Sequence, residues 1–150
     1  MAQIAVIGSG ADWAPAAEEV GRLLAGRGCV VVCGGLGEVM EAAARGAKAA
    51  GGTTVGILPG ESVRDANAWI DYPVATGTGH ARNLAVVASC EAAIAVGGRW
   101  GTLAELGFAR VLGRPVVVLE PGWAVEGDGV ERAATPADAV ELALRLAGVE

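Results

Sequence analysis

Val96-Gly97-Gly98-Arg99-Trp100-Gly101-Thr102-Leu103-Ala104-Glu105 joins an apolar run, Glu91 to Val96, to a segment in which Leu103, Leu106 and Ala109-Arg110 continue at helical spacing. A strand that enters a helix through glycines sets the fold class. Repeated along a chain, the unit builds a parallel sheet covered by helices on both faces. Glycine lets the backbone take positive φ and approach a ligand closely, and the first free amides of the helix point at whatever sits there. The natural guest of such a turn is a phosphate. Gly97, Gly98, Arg99, Trp100 and Gly101 therefore form a candidate cradle, to which Thr102 adds a hydroxyl. Glu105, one turn further in, points a carboxylate toward the same mouth. A carboxylate beside a phosphate is unfavourable unless it has a task, such as holding a ribose hydroxyl or assisting bond cleavage. The plainer alternative is a partner for the helix dipole.

The same unit recurs on both sides of this stretch. Gln3 to Ile7 reads as a first strand emptying into Gly8-Ser9-Gly10, and a helix opens near Asp12 to Pro15 and stops at Gly26 or Gly28. Cys29 to Cys33 is a second strand, closed by Gly34-Gly35-Leu36-Gly37 ahead of an alanine-rich helix from Val39 to Lys48. Gly8-x-Gly10 is followed by Trp13 where a dinucleotide fingerprint needs its third glycine, and the second strand ends in Cys33-Gly34 rather than an acid for a ribose. An NAD site is therefore not expected. Thr53 to Leu58 is a third strand; Glu61 to Ile70 is a polar loop over one end of the sheet, a candidate lid. Asp71 to Thr76 is a short strand whose Pro73 marks an edge or a strand start. Arg114 to Leu119 and Val130 to Ala134 supply two more strands, and Thr135-Pro136 caps a terminal helix. The expected architecture is α/β: a single three-layer Rossmann-like domain over residues 1–150, with a mostly parallel sheet of about six to seven strands. The glycine turns Gly8-Ser9-Gly10, Gly34-Gly35 and Gly97-Gly98 then share the carboxyl edge of the sheet. Ligands of such folds bind there, where strand order reverses.

Between these turns lies Gly77-Thr78-Gly79-His80-Ala81-Arg82-Asn83, a helix start in which a cation opposes the local dipole. Arg82 at that position points to an anion nearby, against the alternative of a solvated arginine and a capping or surface His80. Trp100, Trp13 and Trp69 are expected near the ligand edge, where an indole stacks on a purine or pterin; covering a sheet end or a subunit contact is the other reading. Cys29, Cys33 and Cys90 sit in or beside apolar runs, without the spacing of a disulfide pair or zinc site, and read as small buried hydrophobes. Cys33 ends a strand just before two glycines.

Composition limits the partners. With 53% hydrophobic residues and a mean hydropathy of +0.46, much surface has to be buried, and a homodimer or larger homo-oligomer is expected. Every apolar run is interrupted by glycine or charge before reaching the length that spans a bilayer, and the chain starts directly in a strand without a basic leader. No membrane partner and a cytoplasmic location are expected. A net charge of −6 without a lysine or arginine cluster argues against general nucleic-acid binding.

Taken together, Gly34-Gly35-x-Gly37-x-x-Met40, Gly46-Ala47, the Arg82 helix and Gly97-Gly98-x-x-Gly101-Thr102-x-x-Glu105 resemble the LOG family, Rossmann-like proteins often labelled lysine decarboxylases. The resemblance covers about residues 3 to 120. Members include cytokinin nucleoside 5′-monophosphate phosphoribohydrolases, in which the residues matching Arg82 and Glu105 are catalytic and the glycine–threonine loop holds the 5′-phosphate. It implies N-glycosidic cleavage of a nucleotide to base and ribose 5-phosphate, with Glu105 stabilising an oxocarbenium-like ribose or orienting water. Those hydrolases carry a proline where Val96 stands and Arg-Lys where this chain has Arg82-Asn83. In both respects the chain looks more like the branch that contains the molybdenum-cofactor carrier proteins. That branch implies a non-catalytic carrier or sensor of a pterin phosphate, with the molybdenum cofactor as cargo and no required cofactor or metal. A third relative, the DprA-type DNA-processing fold, is disfavoured by the acidic charge.

Overall fold

The computed structural model describes residues 1–149. The strands are β1 (Gln3–Ser9), β2 (Val30–Cys33), β3 (Thr53–Leu58), β4 (Tyr72–Ala75), β5 (Ala92–Gly97), β6 (Val116–Leu119) and β7 (Val130–Ala133). Five helices, α1 (Ala14–Gly26), α2 (Val39–Ala49), α3 (Arg82–Ala88), α4 (Trp100–Leu112) and α5 (Pro136–Leu146), connect or follow them. The sheet order is β4-β3-β2-β1-β5-β6-β7, and every pairing is parallel. This is the three-layer Rossmann-like architecture expected from the alternation of strand and helix patterns. Pro73 lies in β4, at the sheet edge, where a missing amide costs least.

Side chains of a strand alternate between faces, so β1 feeds two cores. Ile4 and Val6 join Val31, Ile94 and Val117 beneath α1, α2 and α5; Ala5 and Ile7 join Val32, Ala93 and Val118 beneath α3 and α4. Both sets are buried, which explains near-continuous apolar strands with little polar alternation. On the first face α1 and α2 cross closely because Gly21 and Gly46 carry no side chain. A Cβ at Gly21 would stand 2.0 Å from the Ala43 carbonyl oxygen, and one at Gly46 1.9 Å from that of Glu18.

The order reverses at β1. From its carboxyl end the chain turns to α1 on one face, while the end of the adjacent β5 turns to α4 on the other. Two neighbouring strands whose connections leave in opposite directions open a crevice at that edge. Gly8 pairs with Val96 and Ser9 with Gly97 at its base. Backbones meet so tightly here that a Cβ on Gly8 would lie 1.9 Å from the Val96 carbonyl oxygen. The loop 61–70 runs back from the carboxyl edge; Asn67 pins it by donating from Nδ2 to the Leu36 carbonyl at 2.8 Å. Trp69, expected near the ligand edge, instead lies against the start of β3, where its carbonyl accepts from Thr54 Oγ1 at 2.6 Å. A parallel connection must return to the amino end of the next strand, and that return carries Trp69 away.

Candidate functional site

The crevice holds a cavity of about 160 Å³, lined by Gly8 and Ser9 from β1, Gly34 and Met40, His80, Arg82 and Asn83 around the start of α3, and Gly101, Thr102 and Glu105 of α4. Arg82 is the first residue of α3, and its guanidinium reaches across the carboxyl end of β3, where Nη1 donates to the Ile57 carbonyl at 3.2 Å. It packs directly against Gly34. A Cβ there would stand 1.8 Å from Nη1, so the absence of a side chain at this turn is what admits the arginine. Burial pulls Arg82 below the ordinary arginine range, while Glu105, when ionised, opposes that shift.

Glu105 is 9% exposed and lies on the second turn of α4, beyond reach of a first-turn dipole role. Burial pushes its carboxyl up to about 8, with Arg82 holding it partly down. The two approach each other without an ion pair among the described residues. At neutral pH the carboxyl is therefore mostly protonated, and the arginine leaves the cavity with net positive charge. This removes the objection raised by the sequence: a neutral Glu105 does not repel a phosphate and can donate a hydrogen bond to it.

Thr102 is buried and packs over Gly98, where a Cβ would meet Oγ1 at 2.4 Å. Among the described residues no side chain caps the N-terminus of α4, so the amides of its first turn stay available at the cavity mouth. Asn83, also buried, presents Nδ2 toward Gly101. Its signal in the sequence was a polar residue next to Arg82 on an otherwise apolar helix. His80 sits exposed at the rim.

The remaining residues of the expected cradle separate from this cavity. Gly97 and Gly98 line a neighbouring cleft with Trp13 and Trp123. Arg99 and Trp100 are exposed; Trp100, at 76%, packs its ring 5.3 Å from that of Trp123. The Gly10 amide is already engaged, donating to Glu38 Oε2 at 2.7 Å, and Glu38 holds a left-handed backbone, φ 58°, to make that bond. Gly35 turns under the loop 61–70 and accepts the Asn67 amide at 2.9 Å. Cys33 is fully buried, its Sγ accepting from the Gly35 amide at 3.4 Å. Burial pushes its thiol up to about 11, which leaves no thiolate for chemistry.

Comparison with known proteins bears on the family and the fold. Residues 1–144 match a family model described as the SLOG cluster4 family. An uncharacterised protein of Archaeoglobus fulgidus is 43% identical over 145 residues, covering 95% of this chain and 94% of its own. Among solved structures, the molybdenum cofactor binding protein of the phototrophic bacterium Rippkaea orientalis superposes with a TM-score of 0.86 at 32% identity, over 94% of each chain. The molybdenum cofactor carrier protein of Chlamydomonas reinhardtii does so with a TM-score of 0.87 at 32% identity, over 98% of each.

Proposed function

The chain belongs to the SLOG cluster4 family, and from that premise we propose that it is a carrier of a phosphorylated pterin, the molybdenum cofactor being its cargo. The observation that carries the reading is Arg82, a half-buried guanidinium held over Gly34 and open to the cavity, with no carboxylate in an ion pair among the described residues. A cation kept at that cost is kept for an anion. The α4 amides, Thr102 and the protonated Glu105 supply donors for the other phosphate oxygens, and the relatives named for the molybdenum cofactor supply the class of ligand. In this reading the chain's residues bind and shield; none breaks a bond.

Glu105 supports one other reading. A carboxyl near 8 beside an arginine is a proton donor at neutral pH, which N-glycosidic cleavage of a nucleoside 5′-monophosphate needs at the departing base. One experiment separates the two. The purified protein is incubated with a panel of nucleoside 5′-monophosphates, including a cytokinin nucleotide, and free base is followed by chromatography. In parallel, pterin released by denaturation is oxidised and read by fluorescence. Pterin recovered at near-stoichiometric yield with no base release supports the carrier. Base release abolished in Glu105→Gln replaces it with the hydrolase.

A further inference from the structure

Beside the polar cavity, with Gly98 packed against Thr102 between them, the same edge opens a second cleft of about 300 Å³. Trp13, Gly97, Gly98, Gly122 and Trp123 line it, so its walls are indoles and much of its floor is bare backbone. Trp13 lies directly over Gly97: a Cβ there would stand 2.4 Å from the indole Cδ1, and the loop also needs φ +61°. Trp123 is fixed from several sides. Its Nε1 donates to the Arg99 carbonyl at 3.2 Å, its own carbonyl accepts from Arg132, and Arg132 is paired with Glu120 at 3.2 Å. Trp100 braces its ring at 45°. An aromatic wall anchored this thoroughly on a connecting loop, yet left at a cleft, presents a preorganised stacking surface. Ser9 of the polar cavity and Gly97 of the aromatic cleft are paired in register, so the two spaces adjoin.

We propose that the cleft between Trp13 and Trp123 is the ring subsite: it takes a planar bicyclic heteroaromatic ring, pterin or purine, whose phosphate sits in the polar cavity. This rests on the phosphate-binding reading above. The missing side chains at Gly97 and Gly98 admit Trp13 and Thr102 against the loop, and the indoles supply stacking, which is sequence-tolerant and requires no edge readout.

The test is the affinity of wild type, Trp123→Ala and Trp123→Phe for three probes: 6-hydroxymethylpterin phosphate, guanosine 5′-monophosphate and the ring-less ribose 5-phosphate. Binding is read by calorimetry and by quenching of indole fluorescence. The expected result is a loss of about tenfold to a hundredfold for a ring-bearing probe in Trp123→Ala, largely restored in Trp123→Phe, with ribose 5-phosphate affinity unchanged. The ring-bearing probe held more tightly by wild type identifies pterin or purine as the source. Equal losses for all three probes, or none for any, overturn the ring subsite while leaving the phosphate cavity standing. If wild type binds none of the three, the phosphate-binding reading fails and the ring subsite with it. Should Trp123→Ala not fold, Trp123→Leu takes its place, keeping apolar bulk without an aromatic face.

Discussion

Replacing Glu105 with Gln should stabilise the protein, and the gain should grow with pH. The carboxyl stands near 8 in the folded chain against an ordinary value of 4.5, so between those values folding requires a proton to be taken up. A raised folded value means its contribution is most favourable below about pH 4.5 and declines as pH rises through 8. Glutamine matches the protonated shape and has no proton to lose. Working from the two values, wild type carries a penalty of under about 1 kcal/mol at pH 5 and about 3 kcal/mol at pH 7, relative to an unshifted carboxyl. In a chain of this size, about 3 kcal/mol corresponds to a rise of roughly 6–12 °C in Tm. Thermal and urea unfolding of wild type and Glu105→Gln at pH 5, 7 and 8 measures it. The curves should nearly coincide at pH 5 and separate by pH 8. A separation independent of pH, or a less stable Gln variant at pH 8, refutes the assignment of a buried, protonated Glu105.

Other outcomes follow from the same cavity. Arg82→Met should weaken a phosphorylated pterin by about tenfold to a hundredfold, the range for a charge-assisted hydrogen bond, and leave the dephosphorylated form unaffected; calorimetry with both forms decides it. Gly34→Ala should lower that affinity by about tenfold while changing Tm little, since the new methyl meets the flexible ends of Arg82 and Met40 and displaces the guanidinium without removing its charge. Affinity for the phosphorylated ligand should fall as pH rises past 8 in wild type, where Glu105 ionises beside the phosphate, and stay flat over the same range in Glu105→Gln. Leu84, Trp100 and Val111 stand exposed on α3 and α4, so sedimentation should find a homodimer or larger, and Val111→Asp should shift it toward monomer.

Much of the fold was legible because its signals are local. Gln3 to Ile7, Cys29 to Cys33 and Glu91 to Val96 read as strands from their own composition, and Gly8, Gly34 and Gly97 marked the turns that follow them. Parallel pairing then required the turns to share an edge. The site was legible in part. Arg82 stood out as a cation at a helix start, and its pairing with Glu105 followed from the family resemblance. How deeply Glu105 is buried was not readable, since that depends on α3 closing over α4, which no short stretch encodes. The division into two spaces was hidden for a similar reason: Trp123, on the connection after β6, reaches Arg99 and Trp100 across more than twenty residues of chain. Glu38 gave no signal at all, because an acid at that position becomes a ligand for the Gly10 amide only through its left-handed backbone. Trp69 shows the reverse failure, a conspicuous residue whose loop carries it to the opposite end of the sheet.

In the proposed function, Arg82, the start of α4 and a protonated Glu105 together hold a phosphate. The most direct measurement is a calorimetric titration of the wild-type protein at pH 7 with a pterin phosphate and, separately, with the same pterin after dephosphorylation. The phosphorylated form should bind at least tenfold more tightly. Equal affinity for the two forms would contradict it.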